Sequence, residues 1–222
     1  MTQTRFAHIE VDDGVYAPQQ DSLLLCESLD RGDLVADRRV LDMCTGSGIL
    51  AIEAALKGAR EVLAFDISPR AVACAARNAD RAGVRVDVRV GTLADARRAG
   101  PYDVVLSNPP YVPSDTPLEG TGPNRAWDAG ANGRVVLDEL CELAPDLVAP
   151  GGSMLLVHSE FSDPPQTISR LQRAGFDARE VASQVVEFGP VMHGYAERLE
   201  AAGLLEPGRR TEQLVVIRVD RP

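Results

Sequence analysis

The tetrapeptide Asn108-Pro109-Pro110-Tyr111 begins 60 residues after Gly48, the last glycine of the run Leu41-Asp42-Met43-Cys44-Thr45-Gly46-Ser47-Gly48. A planar amide or aromatic amine is a weak nucleophile because its lone pair is delocalised. A site that accepts hydrogen bonds from both of its N–H groups localises that lone pair and aims it. Asn108 offers a side-chain carbonyl for this, and Pro109 a backbone carbonyl in a chain that Pro109 and Pro110 stiffen. Tyr111 can cover a substrate with its aromatic face. Alignment for in-line displacement then remains, and by itself is worth about 7–11 kcal/mol. No strong base is required before transfer, in keeping with the lack of a nearby histidine. The plainer alternative is an Asn-Pro turn with a packing tyrosine.

Residues 40–56 read as strand, glycine turn and helix, the ligand-binding crossover of an open α/β sheet. A dinucleotide fingerprint would place a third glycine at position 51, which is Ala51. Asp42 precedes the turn instead, where it suits a cationic ligand better than a pyrophosphate. Asp66 ends the next strand 18 residues beyond Gly48, at the spacing of a carboxylate that accepts ribose hydroxyls, or alternatively as a local cap near Ser68. A nucleoside-like cationic cofactor beside a planar-nitrogen clamp points to methyl transfer from S-adenosylmethionine.

Two further segments stay open on residue chemistry alone. Tyr16-Ala17-Pro18-Gln19-Gln20-Asp21-Ser22 precedes a helix that Asp21 and Ser22 could simply cap. The lone tryptophan, in Arg125-Ala126-Trp127-Asp128-Ala129-Gly130-Ala131-Asn132-Gly133, is either a lid over substrate or a surface anchor.

These motifs need a sheet to position them. Short apolar runs at 40–43, 61–65, 84–90, 103–106, 154–157, 181–186 and 214–219 predict strands. Helices are expected from Asp21 through Leu29, over Ile49–Leu56, from the N-cap Ser68 with Pro69 in the first turn, from Arg134 until Pro150-Gly151-Gly152 breaks it, over 165–174, and over 192–205. Residues 112–133 form a long Pro/Gly-rich loop, of the length usually kept for function. The expectation is one domain over 1–222 with about seven strands and six helices, residues 1–35 forming a helical extension and 188–212 an insertion between the last two strands.

Composition sets the outer limits. With 45% hydrophobic and 25% charged residues the chain is an ordinary globular protein. Its net charge of −10, with Lys57 as sole lysine, disfavours nucleic acid as partner and favours a protein or small molecule. Cys26, Cys44, Cys74 and Cys141 are scattered, as are His8, His158 and His193, so neither a zinc site nor a disulfide framework is indicated. No apolar run approaches membrane-spanning length, and the N-terminus lacks a signal-peptide pattern, which places the protein in the cytoplasm.

The sequence resembles the HemK family of glutamine-N5 methyltransferases, nearest to the short form of eukaryotes and archaea. Three blocks carry the likeness: Val15 to Ser22, Asn108 to Val112, and Ala126 to Arg134. With Asp42 to Gly48 and Asp66 it spans residues 14–180. Asn-Pro-Pro-Tyr alone also occurs in adenine-N6 methyltransferases; the other two blocks select the glutamine enzymes. The resemblance implies a three-layer, Rossmann-like class I methyltransferase fold, a seven-stranded, mostly parallel sheet with its last strand antiparallel. It implies that Ser22, Asp42, Cys44, Gly46 and Asp66 contact S-adenosylmethionine, with Tyr16, Gly48 and Asn108 completing the set. Thr92 and Leu93 would border the adenine, and Asn108, Pro109, Pro110 and Tyr111 would hold the glutamine amide. The implied substrate is a release-factor-like protein with a Gly-Gly-Gln motif, and a small zinc-binding activator is the implied candidate partner.

This chain departs from the family pattern in several places. Cys44 replaces the first glycine of the cofactor loop, Thr92 an aspartate and Gln20 an acidic residue. The helical substrate-gripping domain of the long form is missing, and the 188–212 insertion is longer than usual. Two other functions remain on the sequence: methylation of a different planar nitrogen, and a non-catalytic cofactor-binding subunit.

Overall fold

The computed structural model describes residues 9–114 and 126–222. The elements are α1 (Gln20–Asp30), β1 (Arg39–Met43), α2 (Ile49–Leu56), β2 (Glu61–Asp66), α3 (Pro69–Ala82), β3 (Asp87–Val90), α4 (Leu93–Ala99), β4 (Tyr102–Ser107), α5 (Val135–Leu147), β5 (Val148–Ser159), α6 (Pro164–Arg173), β6 (Asp177–Glu187), α7 (Pro190–Ala201) and β7 (Thr211–Asp220). Seven strands form one sheet in the order β3-β2-β1-β4-β5-β7-β6. All neighbours are parallel except β7, which runs antiparallel to both β5 and β6. The expected methyltransferase architecture is therefore present, antiparallel last strand included.

Sequence order reverses direction at β1, whose neighbours are β2 and β4. Ligands of open α/β sheets bind beyond the carboxyl ends of strands at such a switch point. The motif residues Asp42, Asp66 and Asn108 lie there, at the ends of β1, β2 and β4. Val40 and Leu41 of β1 and Val105 and Leu106 of β4 are fully buried, because helices cover both faces of the sheet centre. Helix α3 starts and stops as its residues dictate: Ser68 accepts from Ala71 N at 3.3 Å, Pro69 follows, and Gly83 closes the end at φ +69°.

Several elements differ from expectation: β6 begins at Asp177, β7 at Thr211 and α7 spans Pro190–Ala201, and three further differences concern α4, β5 and β3. Helix α4 was not anticipated; a reciprocal cap starts it, Thr92 N and Oγ1 both donating to Asp95 Oδ2 at 2.8 and 2.9 Å, while Leu93 and Ala96 are buried. Pro150-Gly151-Gly152 does not break α5, which ends at Leu147. It is a bulge inside β5, where the pairing with β4 jumps from Tyr102↔Val148 to Val104↔Ser153. Gly152 is forced there, since a Cβ would stand 2.8 Å from the carbonyl oxygens of Ala149 and Asp103. Strand β3 begins at Asp87, three positions later than the apolar pattern from Val84 predicts.

The anticipated N-terminal helical extension is, over its described part, an extended strap at 9–19 followed by α1. Asn78, fully buried on α3, holds the strap: its Nδ2 donates to Glu10 O and Ser47 O at 2.8 and 2.9 Å, and its Oδ1 accepts from Glu10 N at 3.1 Å. The 188–212 segment contributes α7, which packs Met192, Ala196 and Leu199 inward. Among the described residues no helix is long and apolar enough to cross a membrane, and no group of three His, Cys, Asp or Glu side chains could hold a metal.

Candidate active site

The glycine run forms a tight loop on the ends of β1 and β2. Asp42 is fully enclosed, and its Oδ2 accepts from Thr45 Oγ1 at 2.6 Å and from Ala51 N at 3.0 Å. It thus ties the loop to the first turn of α2, acting on a ligand through the loop rather than by open contact. Burial pushes its carboxyl up to about 7. Cys44 adopts φ +64°, the left-handed conformation natural to the glycine it replaces, and burial raises its thiol well above the usual range, so it is no nucleophile. Gly48 also needs its glycine: φ is +88°, and a Cβ would lie 2.9 Å from that of Ala75.

Asp66 closes the other side. Its Oδ2 accepts from Gly46 N at 3.0 Å and its Oδ1 from Ser68 N at 2.9 Å, leaving a half-buried carboxylate edge toward the crevice. Burial raises its pKa. The charges that bear most on Cys44 are Asp66 and Asp42. This negative crevice, with glycines where the backbone must be approached closely, suits a sulfonium nucleoside and repels a pyrophosphate. Thr92 stands exposed at the α4 N-terminus beside the buried Leu93, its hydroxyl proton committed to Asp95.

The planar-nitrogen clamp follows β4 directly. Asn108 Nδ2 donates to Ser22 Oγ at 3.2 Å, which fixes the amide and leaves Oδ1 as the acceptor it can offer a substrate. Ser22 N donates to Asp21 Oδ1 at 2.6 Å. Asp21 Oδ2 receives hydroxyl protons from Tyr16 and Tyr111 at 2.9 and 3.0 Å. Burial is the main reason that both phenols are held well above their usual pKa, so they remain neutral donors. Asp21 and Ser22 are therefore more than a helix cap: they join the strap, α1 and the Asn-Pro-Pro-Tyr turn.

The Trp127 segment clamps this turn from outside. Val112 N donates to Trp127 O at 2.9 Å, Ala129 N to Val112 O at 3.0 Å, and Ser114 N to Gly130 O at 2.8 Å. Ser162 Oγ donates to Tyr111 O at 2.7 Å. Buried Arg134 holds that support, its Nη1 donating to Asp163 O at 2.9 Å and its Nε to Asp138 Oδ1 at 3.0 Å. Trp127 lines a pocket with Asn108 to Val112, Tyr16 and Asp21, and so is a wall of the site; residues 115–125 of the expected loop lie outside the described residues.

The pocket is also lined by Gln19, from the N-terminal block, and by Gly189, Val191, Met192 and Glu212 of the 188–212 insertion, none of which was singled out as a site residue from the sequence. Glu212 carried a signal that went unread. It shares the inward face of β7 with Leu214 and Val216, an acid at a position where the alternation calls for an apolar residue.

Comparison with known proteins agrees with this fold. Residues 21–109 match the family model of ribosomal protein L11 methyltransferase (PrmA). The structure of the E. cuniculi Mtq2–Trm112 complex, described as responsible for methylation of the eRF1 translation termination factor, shares the fold at a TM-score of 0.64 and 21% identity, over 94% of this chain and 99% of that one. Mouse methyltransferase HEMK2 is 32% identical over 72% of this chain and 79% of its own length. A Methanocaldococcus jannaschii protein named as a protein N5-glutamine methyltransferase is 33% identical over 83% of this chain and 92% of its own length. With such a relative matching nearly end to end, the chain belongs to the HemK family of protein N5-glutamine methyltransferases.

Proposed function

We propose that this protein methylates the side-chain nitrogen of a glutamine in a protein substrate of the release-factor kind. The observation that carries this reading is the clamp itself: Asn108 oriented by Ser22, next to the Pro109 carbonyl, under a Tyr111 that Asp21 and Ser162 hold in place. These groups accept the two N–H bonds of a primary amide and set its lone pair perpendicular to the bonding plane. S-adenosylmethionine, when bound, supplies an electrophilic methyl group.

Gly46, Gly48 and Asp66 would hold that cofactor, Asp66 receiving its ribose hydroxyls and the loop backbone lying against it. Asp42 keeps the loop in shape from behind. Tyr16 and Tyr111 close the acceptor site against water, each anchored to Asp21. Asn108 and Pro109 then point the nitrogen along the axis of displacement. Thr92 and Leu93 would border the adenine, Thr92 with only its lone pairs free to act.

The relative described with Trm112 supports a small partner protein for this chain too, and a zinc-binding activator that pairs along a sheet edge is the form we propose. Methylation of another planar nitrogen uses the same clamp and is the second reading. Acidic walls, Asp21 and Glu212, in a chain of net charge −10 weigh against a nucleic-acid substrate. The test is transfer of labelled methyl from S-adenosylmethionine into a release-factor protein and into lysate fractions, with Asn108→Ala as control. Label on a protein glutamine, lost in Asn108→Ala while cofactor binding persists, is the expected result. Undiminished turnover in that variant would overturn the reading.

A further inference from the structure

The acceptor pocket contains a carboxylate that the clamp does not use. Glu212, at the start of β7, is only 5% exposed and lines the same pocket as Asn108 to Val112. Its Oε2 is buried with no hydrogen-bond partner among the described residues, while the Ser159 hydroxyl steadies the group. A buried acid left with an unsatisfied oxygen costs stability, so its retention in a pocket wall calls for a use.

Its surroundings are specific. Asp21 of α1 and Glu160 of the turn after β5 face it with like charge; Arg209, just before β7, is the opposing cation, itself hydrogen-bonded to Glu160 Oε2 at 3.4 Å. Tyr16 of the strap and Tyr111 of the Asn-Pro-Pro-Tyr turn both feel its charge. Asp21 cannot play the same part, because Oδ2 is taken by the two tyrosine hydroxyls and Oδ1 by Ser22.

Resting on the glutamine-amide reading, we propose that Glu212 is the acceptor of the proton that the methylated amide nitrogen must release. The balance is complete within the named groups. The nitrogen lone pair forms the new bond to the methyl carbon, and the carbon–sulfur bond breaks with its electrons passing to sulfur. Nitrogen now bears two protons, a methyl group and a positive charge. One N–H bond breaks, its electrons return to nitrogen, and the proton is taken by Glu212 Oε2. Secondary amide and neutral Glu212 remain. Burial, followed by the charge of Asp21, pushes the Glu212 carboxyl up to about 7, which makes it a far better proton acceptor at neutral pH than an ordinary carboxylate.

The experiment compares wild type, Glu212→Gln and Glu212→Asp on a glutamine-containing release-factor peptide, reading kcat across pH 5.5–9, S-adenosylmethionine affinity by calorimetry, and the Glu212 carboxyl titration by carbon NMR without cofactor. Wild-type kcat is expected to rise with pH through about 7. Glu212→Gln should lose roughly 100-fold in kcat, lose that limb and keep cofactor affinity, with Glu212→Asp recovering part of the rate. The NMR midpoint should match the kinetic limb and move when the peptide is added. An active wild type whose kcat and pH profile survive in Glu212→Gln overturns the role of Glu212 alone. A wild type inactive on every glutamine peptide, also when assayed together with a zinc-binding activator of the proposed kind, overturns the functional reading, and this role with it.

Discussion

Tyr16 and Tyr111 donate their hydroxyl protons to the same atom, Oδ2 of Asp21, at 2.9 and 3.0 Å. One oxygen thus couples the strap that leads into α1 to the turn that follows β4. Replacing Asp21 with Asn keeps the shape but removes the charge that both phenols use. Turnover should fall about 100-fold through misplacement of Tyr111, with cofactor affinity unchanged. Tyr16→Phe and Tyr111→Phe each remove one bond, and their combined effect should depart from the sum because they share an acceptor. A double-mutant cycle on kcat/KM measures this; strict additivity would show that the shared oxygen does not couple them.

Gly133 supports the same turn at closer range than any side chain allows. Its φ is +69°, and a Cβ would stand 2.4 Å from the Tyr111 carbonyl oxygen. Gly133→Ala should therefore cost about 2–4 kcal/mol, left-handed strain plus displacement of Tyr111, and lower turnover together with stability. Gly175→Ala is the matched control: φ is +92° but nothing lies within 4 Å of the added carbon, so it should cost stability alone. Denaturant midpoints and kcat for both variants separate strain from displacement.

Much of this site was legible because its signals are local. A strand ending in Asp42 before Gly46 and Gly48, and a proline pair after Asn108, announce their geometry through backbone chemistry that few sequences share. The sheet was legible for the same reason, since apolar runs of strand length are bounded by glycine and proline. Glu212, Met192 and Gln19 were not legible. Glu212 reaches the pocket because β7 inserts between β5 and β6, a long-range pairing that no local pattern encodes, while Met192 is carried there by α7 and Gln19 by the strap before α1. Helix α4 was missed because its seven residues bury only Leu93 and Ala96, too few for periodicity to register. The role of Asp42 changed for a related reason: its partners Thr45 and Ala51 are close in sequence, but only the folded loop shows that they enclose it.

Asp42 also sets a pH dependence of stability. Its carboxyl sits at about 7 in the folded protein, against about 3.9 when unfolded, because burial disfavours the charged form. The folded-state pKa is the higher, so this contribution is full below pH 4 and is lost as pH rises through about 7. Glu212 acts in the same direction over the same window. The cofactor-free protein should melt at lower temperature at pH 8.5 than at pH 5.5, by about 2–4 °C for each kcal/mol lost. Asp42→Asn lets Oδ1 keep the bonds from Thr45 and Ala51 and should flatten that slope. Calorimetric melting across the range checks it, and an unchanged slope in the variant would assign the effect elsewhere.

We propose that helix α7 docks the substrate, a role that can be separated from its structural one. Met192 and Val191 form the apolar wall of the acceptor pocket, and Tyr195 Oη, on the same helix, donates to Asp128 Oδ1 at 2.5 Å. That bond ties α7 to the Trp127 segment, and both carry residues that line the pocket, so it should help set the spacing between them. A hydrogen bond to a carboxylate is worth about 1.5–3 kcal/mol, enough to raise KM for a protein substrate roughly tenfold if lost. Tyr195→Phe should do this and also lower the melting temperature, by about 2–4 °C for each kcal/mol lost, while leaving the cofactor dissociation constant nearly unchanged, because Met192, Ala196 and Leu199 still anchor the helix. Removing residues 190–207 should weaken substrate binding further and again spare the cofactor, whose crevice lies on the ends of β1 and β2. Equal losses of substrate and cofactor affinity in the deletion would instead make α7 a structural brace of the whole site.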